Sequence, residues 1–194
     1  MAEKPILFNT EMVRAIQEGR KTQTRRIIKG LPLYPPFLEV DEGRGWLEDS
    51  ESGTFYALEA FSKVQPGDVL YVRETWALAS YGYIYRADRD SPGFVGRWYP
   101  SIHMPRKAAR IFLKVKDIRA ERLQEITSGE AVAEGIKSNL RSPSEAADAL
   151  IAFEELWNGT IKPSDFSRYG WKANPWVWVV EFERINKPNG WCES

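Results

Sequence analysis

Hydrophobic and polar positions along the chain follow two periods. Met12, Val13 and Ile16 recur at helical spacing. With Asn9 or Thr10 as cap, they predict a short helix running to Glu18 and stopped by Gly19. From Thr22 to Ile28 the pattern turns to that of a strand. Further strands are expected after the turn Pro66-Gly67-Asp68, over Val69 to Trp76, and at Tyr83 to Ala87. Another is expected over Ile111 to Ile118, following a Gly/Pro-rich loop from Ser91 to Met104. The last, Trp176 to Arg184, starts apolar on both faces and should lie inside a sheet.

Two more helices carry start signals. Thr127-Ser128-Gly129-Glu130 has the spacing of a capping box and opens a short helix from Ser128 to Glu134, ended by Gly135. Ser142-Pro143-Ser144-Glu145 has the same spacing, with proline in the first helical position. Its helix should run to about Trp157, with Ala147, Leu150, Ile151, Phe153 and Trp157 facing inward, and Asn158-Gly159 should end it.

Between the first two strands the chain is turn-rich, with Pro35-Pro36, Gly43, Gly45 and Gly53. Trp46-Leu47 and Phe55-Tyr56-Ala57-Leu58 suggest a small hairpin, a β-rich insertion near residues 30–62. The strands mostly follow one another without intervening helices. The expected fold class is α+β, a small mixed or antiparallel β-barrel flanked by helices. One domain over 1–187 with a tail at 188–194 suits the length of 194 residues.

Composition narrows the function. Twenty-seven Lys and Arg balance 27 Asp and Glu, so a broadly basic nucleic-acid coat is absent. Any grip on a phosphate must come from a local site. One cysteine, Cys192, and one histidine, His103, leave no disulfide framework and no Cys/His zinc set. No metal and no cofactor are called for. Without an apolar leader or spanning run, the cytoplasm is the expected location. Of the clustered aromatics, Trp76 and Trp98 are the candidates for stacking on bases, and the rest suit packing.

The local concentration of charge is Gly19-Arg20-Lys21-Thr22-Gln23-Thr24-Arg25-Arg26. On a strand, Thr22, Thr24 and Arg26 share one face, while Lys21, Gln23 and Arg25 share the other. Hydroxyls beside a guanidinium suit a phosphate or a base edge. An edge strand guarded by charges would look the same.

The order helix, Gly19-Arg20-Lys21-Thr22-Gln23-Thr24-Arg25-Arg26, strand, then Gly67-Asp68-Val69-Leu70-Tyr71-Val72 resembles the ASCH domain of the PUA-like superfamily. Ala131-Val132-Ala133-Glu134-Gly135-Ile136 is similar to that family's short helix. Val72-Arg73-Glu74-Thr75-Trp76 and Asn174-Pro175-Trp176 extend the likeness to ASCH-like proteins of phages and prophages. The resemblance implies a PUA-like barrel with a cleft beside it, and RNA or nucleotide binding. One branch hydrolyses N4-acetylcytidine, and a ribonuclease activity is attributed to another member. By motif, the catalytic Lys, Thr and Glu of the amidohydrolases fall on Lys21, Thr24 and Glu134, although the helix spacing also allows Glu130. This chain is longer than those enzymes and carries Arg25 where they have an apolar residue.

A lysine can take a proton from a threonine hydroxyl only when its pKa is lowered, which Arg20, Arg25 and Arg26 could promote. Strand alternation separates Lys21 from Thr24 unless Lys21 still belongs to the turn. The expected nucleic-acid- or nucleotide-binding residues are Arg20, Thr22, Arg26, Arg73, Glu74 and Trp76. Glu74 is expected to orient Arg26 or Lys21, or else to form a surface pair with Arg73. Arg106, Lys107 and Arg110 form a second basic patch, and His103 suits a structural role. Three readings follow. The first is binding of RNA, single-stranded nucleic acid or a modified nucleoside. The second is hydrolysis of N4-acylated cytidines, and the third is a phage accessory protein acting through host-protein contacts.

Overall fold

A computed structural model describes residues 2–29, 62–88 and 96–191, together with the backbone of 40–41, 44–49 and 54–57. The chain begins with β1 (Glu3–Leu7), α1 (Thr10–Gln17) and β2 (Gln23–Ile27). The β-rich segment β3 (Val40–Asp41), β4 (Arg44–Asp49) and β5 (Thr54–Ala57) comes next, then β6 (Val69–Arg73), β7 (Trp76–Ala79) and β8 (Gly82–Tyr85). The second half holds β9 (Phe112–Arg122), α2 (Ser128–Ala133), α3 (Pro143–Thr160), α4 (Phe166–Tyr169) and β10 (Trp176–Ile185).

Five strands form one sheet in the order β1-β6-β9-β10-β2. β1 runs parallel to β6, and every other pair is antiparallel. The mixed sheet is therefore as expected, but among the described residues no ladder closes it into a barrel. β1 and β2 are its edges. Where a closing ladder would run, the Arg26 guanidinium donates instead to the Leu7 carbonyl at 2.8 Å. The strand β1 has no periodic signal of its own, and its place comes from pairing with β6.

α1 covers one face of the sheet, where Phe8, Val13 and Ile16 pack on Leu70, Val72, Leu113, Val115, Val180 and Phe182. On the other side α2 and α3 bury Ala131, Phe153 and Trp157 against Val177 and Val179. Val179 and Val180 thus serve opposite cores, as strand alternation requires. That explains why β10 reads apolar on both faces and lies between β9 and β2.

α1 starts at Asn9, whose side chain accepts from the Met12 amide at 2.8 Å. The Thr127 capping box forms as spelled out, with Glu130 reaching back to the Thr127 amide at 2.8 Å. α3 starts on Ser142 but runs past Gly159 to Thr160. Its buried stripe is Ala149, Phe153 and Trp157, spaced by four. Ala147 and Ile151 fall off that stripe, and both are exposed rather than inward.

The expected strand from Val69 to Trp76 breaks at Glu74 and Thr75. Beyond the break, β7 leaves the sheet to pair with β8. In the insertion, β4 and β5 pair as a hairpin with Leu47 opposite Tyr56. Residues 30–39, 42–43, 50–53 and 58–61 of it lie outside the described part, as do part of the Ser91 loop and Cys192. Within the expected tail, Trp191 is buried, edge-on to Phe112 at 4.8 Å.

Candidate functional site

The site grows out of the exit from α1. Gly19 adopts φ +75° there, a left-handed conformation that suits glycine and turns the chain back. The amides of Arg20 and Lys21 both donate to the Ala15 carbonyl. Lys21 therefore belongs to the turn, and β2 begins at Gln23. The Thr22 amide ties this turn to the end of α2 at the Ala133 carbonyl, 2.9 Å away. Gly135, at φ +105°, lets α1 come close: a Cβ there would meet the Ala15 Cβ at 3.0 Å and the Lys21 Cβ at 3.4 Å.

Lys21 is fully buried, and its amine donates to the Glu134 carboxylate at 2.7 Å and the Glu134 carbonyl at 2.8 Å. Glu130 and Glu134 are thereby distinguished in geometry. Glu134 meets Lys21, while Glu130 caps its own helix and pairs with Arg119. Burial pulls the Lys21 pKa below the ordinary lysine value, and Arg26 and Arg25 add to that; Glu134 opposes it.

Arg25 is equally buried. It donates to Glu121 at 3.0 Å through Nε and to Glu134 at 3.3 Å, and lies 3.4 Å from Glu130. Arg119 extends the network to Glu121 at 3.1 Å and Glu181 at 2.6 Å. Burial pushes the Glu130 carboxyl up, but the Thr127 amide and both arginines outweigh it, so its pKa lies below the usual range. Gln23 donates to the Glu130 carbonyl from the same side as Arg25. Arg26 projects to the opposite face and sits over the Phe8 ring at 5.2 Å.

Thr24 is buried on β2, opposite Val180. Among the described residues no hydrogen bond joins its hydroxyl to Lys21 or Glu134. Thr22 is exposed. Arg20 is held by the Gly135 carbonyl and by Glu18.

A groove of about 440 Å³ opens beside the turn, lined by Lys21, Thr22, Gln23, Lys116, Glu183 and Arg184. The buried residues Ile16, Leu113 and Phe182 form its apolar floor. Thr24 and Glu134 do not line it. The side chains of Lys116 and Arg184 carry no hydrogen bond or ion pair with any described residue, although Arg184 pairs with Leu113 through the β-ladder. Sequence reasoning missed both. They sit on different strands far from the motif, and nothing in the pattern marks either.

The second expected group lies elsewhere. Glu74 is buried and takes a bidentate pair from Arg110 at 2.9 and 3.0 Å, so it orients neither Arg26 nor Lys21. Burial raises its pKa, against the pull of Arg110. Arg73 donates instead to the backbone carbonyls of Met104 and Ile102, so the expected Arg73–Glu74 pair does not form. Trp76 is half-buried, with one face stacked on Tyr99 at 5.1 Å and Tyr83 at its edge. The Arg86 guanidinium lies over Trp98 at 5.6 Å.

The Arg106–Lys107–Arg110 patch is divided. Arg106 pairs with Glu3 and lies over Trp191 at 4.2 Å, while Arg110 is held by Glu74 and Asp88. His103 is exposed in a short 3-10 turn. Among the described residues no group of three or more His, Cys, Asp or Glu could hold a metal, and no helix is long and apolar enough to cross a membrane.

The architecture is an α+β mixed sheet with helices on both faces. No family model and no curated protein matches the chain. Among solved structures it is similar to an ASCH domain from Lactobacillus crispatus, 10% identical, over 96% of this chain and 81% of that one, with a TM-score of 0.44. It is also similar to the hypothetical protein PH0355, 14% identical, over 94% of this chain and 99% of that one, with a TM-score of 0.40.

Proposed function

We propose that this chain binds RNA or nucleotides through the surface built on Gly19 to Arg26 and the groove beside it. The observation that carries this reading is the groove itself. It pairs an apolar floor with two exposed cations, Lys116 and Arg184, whose side chains form no ion pair with a described carboxylate. Thr22 lines it, and Arg26 is exposed further along the same segment. With a net charge of zero, the attraction is local, so binding should fall with salt along a shallow slope set by a small number of ionic contacts. Titrating labelled single-stranded RNA at rising salt tests this. Arg26→Ala should weaken binding several-fold and lower the salt slope by about 1. Absence of RNA and nucleotide binding at low salt would reject the proposal.

The contact between Lys21 and Glu134 favours a second reading, hydrolysis of an N4-acylated cytidine. In that scheme the Lys21 amine accepts the Thr24 proton as the hydroxyl attacks the acyl carbon. Glu134 passes a proton to the departing amine, and water then releases the acyl group as its acid. A lowered Lys21 pKa suits the base, while burial of all three side chains requires the site to open first. Incubation with N4-acetylcytidine and detection of cytidine decides it. Turnover unchanged in Lys21→Ala would remove the reading.

A further inference from the structure

The ladder between β9 and β10 slips by one residue beside the groove. Glu181 pairs with Asp117 and Phe182 pairs with Val115, which leaves Lys116 without a partner. Such a bulge re-aims one side chain while the rest of the strand keeps its faces. Here Val115 and Ile118 stay buried, and both Lys116 and Asp117 reach solvent. Lys116, at the slip, lines the groove, and Arg184, further along β10, lines it too.

The lining carries both signs. Glu181 is held by Arg119 at 2.6 Å, but Glu183 is exposed and its carboxylate makes no hydrogen bond or ion pair with a described residue. A lone oxyanion would leave that carboxylate facing like charge. Two cations suit a phosphate, and a carboxylate suits a sugar hydroxyl or a base amino group. A volume of about 440 Å³ exceeds what phosphate alone needs and falls within the range of small-ligand sites.

We propose that the groove is a subsite for one phosphorylated nucleoside, with Lys116 and Arg184 on the phosphate and Glu183 accepting from the sugar or base. This rests on the nucleotide- or RNA-binding reading and deepens it. Such a nucleotide can be free or the phosphorylated end of an RNA strand.

Calorimetry on the full chain at low salt separates the cases. The ligands are the four ribonucleoside monophosphates, the four nucleosides, inorganic phosphate, and a short RNA with and without a 5′-phosphate. The variants are Lys116→Gln and Arg184→Gln, both at exposed positions, with folding checked by circular dichroism. A monophosphate or the phosphorylated RNA should bind at least about tenfold tighter than its unphosphorylated counterpart. Each variant should lose roughly tenfold for the phosphorylated ligand only. Preference for the RNA end over free nucleotides assigns the source and supports the subsite. Equal binding of phosphorylated and unphosphorylated ligands, or variants that bind like the unaltered chain, overturns it. If RNA still binds and depends on Arg26, the subsite alone has failed. If nothing binds, the broader reading fails with it.

Discussion

The cations around β2 divide into two regions. Toward α2, Lys21, Arg25 and Arg119 meet Glu121, Glu130, Glu134 and Glu181 in an interlocked network. Along the groove, which Lys21 also lines, the Lys116 and Arg184 side chains form no ion pair with a described carboxylate. The residue types are the same and burial separates them. A charge removed from water costs several kcal/mol unless it is paired, so the buried set is committed to holding α2 against β2 and β9. The exposed set stays hydrated and available to a ligand. Basic residues in a motif are thus no guide to which of them touches a substrate.

The largest expected effect comes from breaking the buried region. Glu134→Ala leaves the Lys21 amine and part of Arg25 unpaired, and should cost about 3–5 kcal/mol in urea unfolding. A loss below about 1 kcal/mol would show that water or a rearrangement replaces the carboxylate. Gly135→Ala comes next. It forces a side chain into positive φ and onto Ala15, for an expected loss of about 1–3 kcal/mol.

Acid sharpens the comparison with a carboxylate outside both regions. Burial raises the Asp68 pKa, but Lys4 and the amides of Ala2 and Gln65 bring it down to about 2 from 3.8. A depressed folded pKa means its stabilisation is complete above the unfolded value and is lost as pH falls toward 2. Asp68→Asn should therefore flatten the fall in stability between about pH 4 and 2. An unchanged acid limb would assign the pH dependence to the glutamate network instead.

The smallest effect belongs to the groove. Lys116→Gln and Arg184→Gln should each shift stability by no more than about 0.5 kcal/mol. A larger loss in either would mean that residue is part of the fold rather than of a binding surface.

Periodicity and caps made much of the scaffold legible. The α1 stripe, the Thr127 capping box, the start of α3 and the doubly apolar β10 rest on contacts within about ten residues, which a linear pattern records. β1 was not legible, because its pairing with β6 joins residues more than sixty apart. The break after Arg73 was hidden for the same kind of reason. Glu74 turns in to meet Arg110, a residue no local rule connects to it. In the site, the motif marked Lys21 and Glu134, and the two side chains are in contact. It also marked Arg20 and Arg73, both of which are engaged by backbone carbonyls.

The sequence by itself determined the helices α1, α2 and α3, most strands of the main sheet, the mixture of charges that rules out a basic coat, and the turn that begins at Gly19. Only the tertiary structure decided which cations are buried, which carboxylates they meet, and that Lys116 and Arg184 line one groove. Those outcomes depend on desolvation and on pairings between residues far apart in the chain, such as Lys21 with Glu134 and Glu181 with Asp117, and neither leaves a trace in local order.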